Sequence, residues 1–306
     1  MEVFKDIVIV LLSIIVISKG AIWLVDSAAK IARRFEISEL IIGLTIVAMG
    51  TSAPEFGVTI LAAIKGVGDI SVGNIVGSNI FNLGFILGGT AVFYSLNTNK
   101  TVIVRDGGFL FLGTLLLTFF LWDLELKHYE GIILFLLLIS YLLYLYFKKE
   151  MLEVPAETEK LRWYDTLFLI FGFIMVLGGS HFLVESSMDI AEVMGVSNWV
   201  VAATIIAAGT SAPELATSIV AALRGHHGMS IGNLIGSDIF NLFGVLGTAA
   251  IIRPLPVDES ARTNLLMLVG MVLIVLIFMR IGWKISRKEG VILICLGLAR
   301  WIWTFM

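Results

Sequence analysis

Residues 50–55 read "GTSAPE", and residues 209–214 read "GTSAPE" again. Each copy sets a proline and a glutamate inside a long apolar run. Proline has no backbone N–H and crowds the turn before it, so Pro54 is expected to free the carbonyl of Gly50, and Pro213 that of Gly209. Unpaired carbonyls and lone carboxylates are costly in hydrocarbon. Such a segment has to face protein, water or a bound cation, and the chain builds it twice.

The 306 residues around these hexapeptides are 58% hydrophobic and 15% charged, with a mean hydropathy of +0.98. Soluble domains are about a quarter charged. Apolar runs of about 20 residues, enough to cross a hydrocarbon core of roughly 30 Å, recur along the whole length. The expected fold is an all-α integral membrane protein with ten transmembrane helices, near 4–32, 39–65, 71–95, 104–121, 130–148, 163–191, 198–224, 230–252, 263–282 and 288–305. The first run is too long for a signal-peptide core and lacks a small-residue cleavage site, so it is read as a helix. Cys295, the single cysteine, leaves no intrachain disulfide.

The duplication is wider than the hexapeptide. Its offset, 209 − 50 = 159, holds without a gap from "GAIWLVDS" (20–27) and "GSHFLVES" (179–186) to "SVGNIVGSNIFNL" (71–83) and "SIGNLIGSDIFNL" (230–242). Roughly 30 of the 70 pairs over residues 19–88 are identical, more than shared hydrophobicity gives. Residues 1–306 are therefore expected to form one membrane domain. It would hold a first repeat (1–148), a short cytoplasmic linker (149–162) and a second repeat (163–306). Five helices per repeat, an odd number, would invert the second repeat relative to the first, an arrangement common in secondary transporters. Lysine and arginine gather in the loops beside Lys30, Arg33, Arg34, Lys148, Arg162, Arg280 and Arg287. By the positive-inside rule that side is cytoplasmic and both termini are extracellular.

The chemistry of the repeats is all oxygen. Thr51, Ser52, Thr210 and Ser211 put hydroxyls beside the breaks, and Glu55 and Glu214 add carboxylates with no lysine or arginine in the same helix centres. Ser78 and Asn82 share a helix face, as do Ser237 and Asn241. Hard oxygen donors with two formal charges and no nitrogen or sulfur suit Ca²⁺ or Na⁺ rather than zinc or copper. Gly73, Gly77, Gly232 and Gly236 have the small-xxx-small spacing that lets helices approach in lipid. His226 and His227 are expected in a solvated loop, and Asp26 and Glu185 near opposite membrane faces. Asp238, next to Ser237 and so turned about 100° from it, is expected to be hydrated or cap-bonded rather than a ligand.

"GTSAPE" in both halves, followed by "GNIVGSNIFN" and its copy, resembles the repeats of the cation/calcium antiporter superfamily, in its prokaryotic sodium/calcium exchanger branch. The resemblance covers nearly all of the chain. It implies an antiporter in the cell membrane that exchanges Na⁺ for Ca²⁺ by alternating access and normally extrudes Ca²⁺. The implied partners are Na⁺, Ca²⁺ and membrane lipid, with no nucleic acid, obligate protein partner, organic cofactor or enzymatic activity. It further implies Ca²⁺ held by Glu55 and Glu214 with the carbonyls of Thr51 and Thr210. Na⁺ would use the same glutamates, the hydroxyls of Thr51, Ser52, Thr210, Ser211, Ser78 and Ser237, and the carbonyls of Ala48 and Ala207, with Asn82 and Asn241 lining the centre. Asn241 stands where some relatives, potassium-dependent exchangers among them, carry an acid, and Asp238 where asparagine is usual. From the residues alone a proton-coupled cation exchanger and a cation channel stay open. An intramembrane hydrolase lacks the second chemical group it would need.

Overall fold

The computed structural model describes residues 2–148, 162–194 and 207–305. The helices are α1 (Glu2–Arg34), α2 (Glu39–Thr51), α3 (Ala53–Lys65), α4 (Gly68–Phe93), α5 (Val102–Asp123) and α6 (His128–Lys148). After the linker come α7 (Trp163–Val193), α8 (Ala207–Thr210), α9 (Ala212–Leu223), α10 (His227–Ile252), α11 (Ser260–Arg280) and α12 (Arg287–Phe305). Among the described residues seven of these helices are long and apolar enough to cross a membrane, and eight if α2 and α3, bent by 51°, form one span. Large side chains such as Leu11, Ile15, Leu112, Phe119, Leu136 and Ile174 are exposed along them, as lipid-facing surfaces require. The protein is an all-α multi-pass membrane protein. Residues 149–161 of the linker and 198–206 of the expected 198–224 helix lie outside the described residues.

The internal duplication is physical as well as sequential. Strand β1 (Leu96–Asn97) pairs antiparallel with β4 (Lys284–Ile285), and β2 (Glu125–Leu126) with β3 (Leu255–Pro256). Adding 159 to 96 gives 255, and adding it to 125 gives 284, so one ribbon is the copy of the other. Helix starts follow the same rule. Glu130 accepts from the Lys127 N–H at 2.8 Å, and Glu289, 159 residues later, accepts from the Ser286 N–H at 2.6 Å. The loop glycines Gly66 and Gly225 both take the left-handed φ (77° and 82°) that ends a helix. Helix α7, the copy of α1, packs along α1 in antiparallel register. Ile17 meets Gly179, Gly20 and Leu24 meet Gly172, and Lys30 pairs with Asp165 at 3.0 Å.

Helices α1 and α7 build one apolar cluster with Ile42, Val47, Val220 and Ala221, while the other elements share a larger core. That larger core is where α10 lies. Met229 through Ile239 are all buried, whatever their polarity. A Cβ on Gly232 would meet the Leu40 carbonyl oxygen at 2.5 Å, and one on Gly236 the Leu44 Cα at 2.6 Å, so α10 and α2 touch backbone to backbone. The small-xxx-small expectation holds there. For Gly73 and Gly77 the positions 159 residues beyond Leu40 and Leu44 lie outside the described residues. Gly236→Ala is expected to cost about 1–3 kcal/mol, because backbone cannot yield as a side-chain tip can. Gly57→Ala, where no atom of the described residues lies within 4 Å of the added carbon, should leave thermal unfolding in detergent unchanged or slightly delayed.

Candidate ion-binding site

The duplicated hexapeptides do break their helices, in the turn that precedes each proline. The backbone leaves helical geometry at Ser52 (φ −79°, ψ 12°) and at Ser211 (φ −89°, ψ 8°). Pro54 and Pro213 then fall in the first turn of α3 and α9, where a missing N–H costs nothing. Glu55 and Glu214 follow in the same first turns, at the ends where the helix dipole favours a carboxylate. Serine, two residues and glutamate is the pattern of a capping box, in which the two side chains cap their own helix start. Here the serines make no such cap.

Each serine instead reaches the other copy. Ser52 Oγ donates to Glu214 Oε1 at 2.8 Å, and Ser211 Oγ donates to Glu55 Oε1 at 3.1 Å. Subtracting 159 turns one bond into the other. Both glutamates are fully buried, and neither forms an ion pair with a lysine or arginine among the described residues. Their second oxygens, Oε2, have no hydrogen-bond partner among those residues. Ser237 Oγ adds a long contact to Glu214 Oε1 and another to the Ala48 carbonyl, each 3.5 Å. Thr51 Oγ1 donates to the Ala48 carbonyl and to Asn233 Oδ1, both at 3.2 Å. Ser78 and Thr210 are buried, and the described part of α8 begins at Ala207.

Further polar residues that sequence reading passed over hold this arrangement. Asn74 Nδ2 donates to Thr59 Oγ1 at 3.0 Å and to the Glu55 carbonyl at 3.4 Å. Its copy, Asn233, donates to Ser218 Oγ at 2.9 Å and to the Glu214 carbonyl at 3.5 Å. Ser71 and Ser230 tie the same helices through the carbonyls of Thr59 and Ser218, at 3.0 and 2.9 Å. The signal was present, since both asparagines sit in the "GN" of the duplicated segments. Asn82 opens a π-helical turn over Asn82–Leu87 and Asn241 is the second residue of another over Phe240–Val245, a feature common at functional sites.

Two expectations need correction. Asp238 is neither hydrated nor capping a helix end; it is fully buried and accepts from Asn82 Nδ2 at 3.0 Å. A turn of about 100° away from Ser237 leads out of the protein only if one helix face is exposed, and this stretch of α10 has no exposed face. His226 is half-buried with Nδ1 2.8 Å from Glu39 Oε1, and His227 starts α10 rather than lying in a loop.

Asn74→Ala and Asn233→Ala are each expected to lower the unfolding temperature in ion-free detergent solution, at a cost of about 1–3 kcal/mol, because both leave buried groups unpaired. Unchanged unfolding in both would remove these asparagines from the supporting framework.

The family model described as sodium/calcium exchanger protein matches residues 5–147 and 164–299, which is nearly all of both halves. The putative antiporter CaxA of Alkalimonas amylolytica is 38% identical over 94% of each chain. The sodium/calcium exchanger MaX1 of Methanosarcina acetivorans is 32% identical over 95% of this chain and 96% of its own. The solved structure of the sodium-calcium exchanger NCX_Mj without Na⁺ and Ca²⁺ superposes with a TM-score of 0.86 at 30% identity, covering 97% of this chain and 98% of that one. A duplicated, cross-bonded pair of buried glutamates and full-length likeness to these proteins lead to one statement: the chain belongs to the sodium/calcium exchanger family, in its prokaryotic branch.

Proposed function

We propose that the protein is a secondary active antiporter that exchanges Na⁺ for Ca²⁺ across the cell membrane. The observation that carries this reading is the reciprocal bonding of Ser52 to Glu214 and of Ser211 to Glu55. Two carboxylates buried without a counter-cation require positive charge from elsewhere. The oxygen-only surroundings select a hard cation. In this reading Glu55 and Glu214 neutralise one Ca²⁺, joined by the carbonyls of Thr51 and Thr210. Several Na⁺ use the same glutamates with the hydroxyls of Thr51, Ser52, Ser78, Thr210, Ser211 and Ser237 and the carbonyls of Ala48 and Ala207, while Asn82 and Asn241 line the centre. Both loads need the same oxygens, so only one occupies them at a time, and the two fluxes are coupled.

The finer architecture belongs to the same proposal. Ten transmembrane helices form one membrane domain of two five-helix repeats, residues 1–148 and 163–306, with 149–162 as a cytoplasmic linker and both termini outside. The antiparallel packing of α1 on its own copy α7 supports inversion of the second repeat. Helix α7 also reaches both breaks. A Cβ on Gly50 would meet the Phe173 ring at 2.1 Å, and one on Gly209 would meet Val184 Cγ2 at 2.0 Å. Movement of α7 therefore changes what covers the breaks. Charge pairing differs between the two ends. Asp26 Oδ2 lies 3.5 Å from Arg224, whereas their copies Glu185 and Lys65 form no ion pair with each other among the described residues. One end is latched and its equivalent is not, as alternating access requires.

Purified protein in Na⁺-loaded proteoliposomes, diluted into Na⁺-free buffer, is expected to accumulate ⁴⁵Ca²⁺, and Glu55→Gln and Glu214→Gln should each reduce uptake to background. Uptake that follows a pH gradient without Na⁺ would make the protein a proton-coupled exchanger instead. Asp26→Asn should speed amide exchange around Arg224, by no more than about fivefold, because half-exposed ion pairs are worth up to about 1 kcal/mol; unchanged exchange would remove the latch.

A further inference from the structure

The packing of α1 on α7 repeats itself about an internal two-fold. A Cβ on Gly20 would meet the Gly172 carbonyl oxygen at 3.0 Å and the Val176 nitrogen at 3.1 Å. A Cβ on its copy, Gly179, would meet the Ser13 carbonyl oxygen and the Ile17 nitrogen, each at 3.4 Å. Ser13 and Ile17 lie 159 residues before Gly172 and Val176, so one set of contacts turns into the other. The same relation carries the ion pair of Lys30 and Asp165, 3.0 Å long, onto Asp189 and Asp6 (30 + 159 = 189, 165 − 159 = 6). Burial agrees with the mapping. Asp6 is 6% exposed where Asp165 is 2% exposed, and Asp189 lies at the surface. One end of the helix pair is thus closed by a lysine and an aspartate. The other has two aspartates in the equivalent places.

Asp6 is buried yet makes no hydrogen bond or ion pair with a described residue. Lys5, beside it in sequence, is exposed and pairs with neither aspartate. Glu192 adds negative charge where α1 has Arg33. The last turn of α7 holds no base, although the helix dipole favours one there. Facing carboxylates repel, and a buried one without a partner is costly. We infer that Asp6 and Asp189 bind one Ca²⁺ between the ends of α1 and α7, in the place that the Lys30 ammonium takes at the opposite end. Two carboxylates neutralise a divalent ion, and Ca²⁺ accepts about six to eight oxygens in irregular geometry, whereas Mg²⁺ gives up water reluctantly. Among the described residues no three side chains of His, Cys, Asp or Glu converge on one ion, so water completes the shell from the exposed side of Asp189. Such a site is weak, with half-saturation at about 10⁻⁴–10⁻³ M. In the topology proposed above this end is the outer one. Its placement outside rests on that reading; the binding does not.

The test is thermal unfolding of the purified full chain in detergent, with Glu55→Gln and Glu214→Gln both present to silence the central glutamates. In that protein about 10 mM Ca²⁺ should raise the unfolding temperature by about 2 °C or more, and Mg²⁺ by less. Adding Asp6→Asn, or Asp189→Asn at its exposed position, should abolish the rise. Asp189→Lys should abolish it too and raise the unfolding temperature without Ca²⁺, because it rebuilds in the copy the ion pair of Lys30 and Asp165. A Ca²⁺ response that survives the substitutions at Asp189 would overturn the inference, as would no response before they are made. An unchanged Ca²⁺-free temperature in Asp189→Lys would mean that the two aspartates do not face each other, and would also overturn it. The exchanger reading fails separately. It is defeated if replacing the two glutamates takes nothing from the Ca²⁺ response of the wild-type protein, whatever Asp189 does.

Discussion

Everything near the middle of this protein follows from burying two carboxylates without a basic partner. Within one half, a serine and a glutamate at capping-box spacing would satisfy each other and close a helix start. Here the partners are exchanged, so Ser52 serves Glu214 and Ser211 serves Glu55. The exchange ties the two halves together at their most costly point. It also leaves one oxygen of each glutamate without a hydrogen bond among the described residues. A structure that spends its donors across the interface and keeps acceptors free is arranged for a cation.

The framework around the pair explains why it stays in place. Asn74 and Asn233 grip α3 and α9 from α4 and α10, and each also holds the carbonyl of a glutamate. Backbone contact between α10 and α2 at Gly232 and Gly236 leaves no room for adjustment on that side. The antiparallel pair α1 and α7 shares a second apolar cluster with Ile42, Val47, Val220 and Ala221, and α7 meets the breaks at Gly50 and Gly209. The asparagine-braced helices therefore hold the oxygens, and α7 lies over the two breaks. Division of this kind lets access change without rebuilding the site.

Much of this was legible in the residues. The offset of 159 identified the equivalent positions, and it reaches as far as the two short β-ribbons and the starts of α6 and α12. Proline and glutamate in the middle of apolar runs marked the breaks and the charged pair. What the sequence did not reveal is which group serves which half, because a repeat gives equivalence but not partnership. Asp238 was misread for a related reason. Reasoning by helix face assumes a face toward solvent or lipid, and between Met229 and Ile239 every residue is buried. The break falls at Ser52, in the turn before Pro54, and the proline then sits in the first turn of the next helix, where it needs no hydrogen bond.

The central claim is that Ca²⁺ and Na⁺ compete for the oxygens of Glu55 and Glu214. The most direct measurement is ⁴⁵Ca²⁺ affinity of the purified protein at a series of Na⁺ concentrations, with choline holding ionic strength constant. Competition at shared oxygens predicts that apparent Ca²⁺ affinity falls without limit as Na⁺ rises, and more steeply than in direct proportion because several Na⁺ displace one Ca²⁺. A Ca²⁺ affinity that levels off, or that ignores Na⁺ in protein still capable of Na⁺-driven Ca²⁺ uptake, would contradict the account.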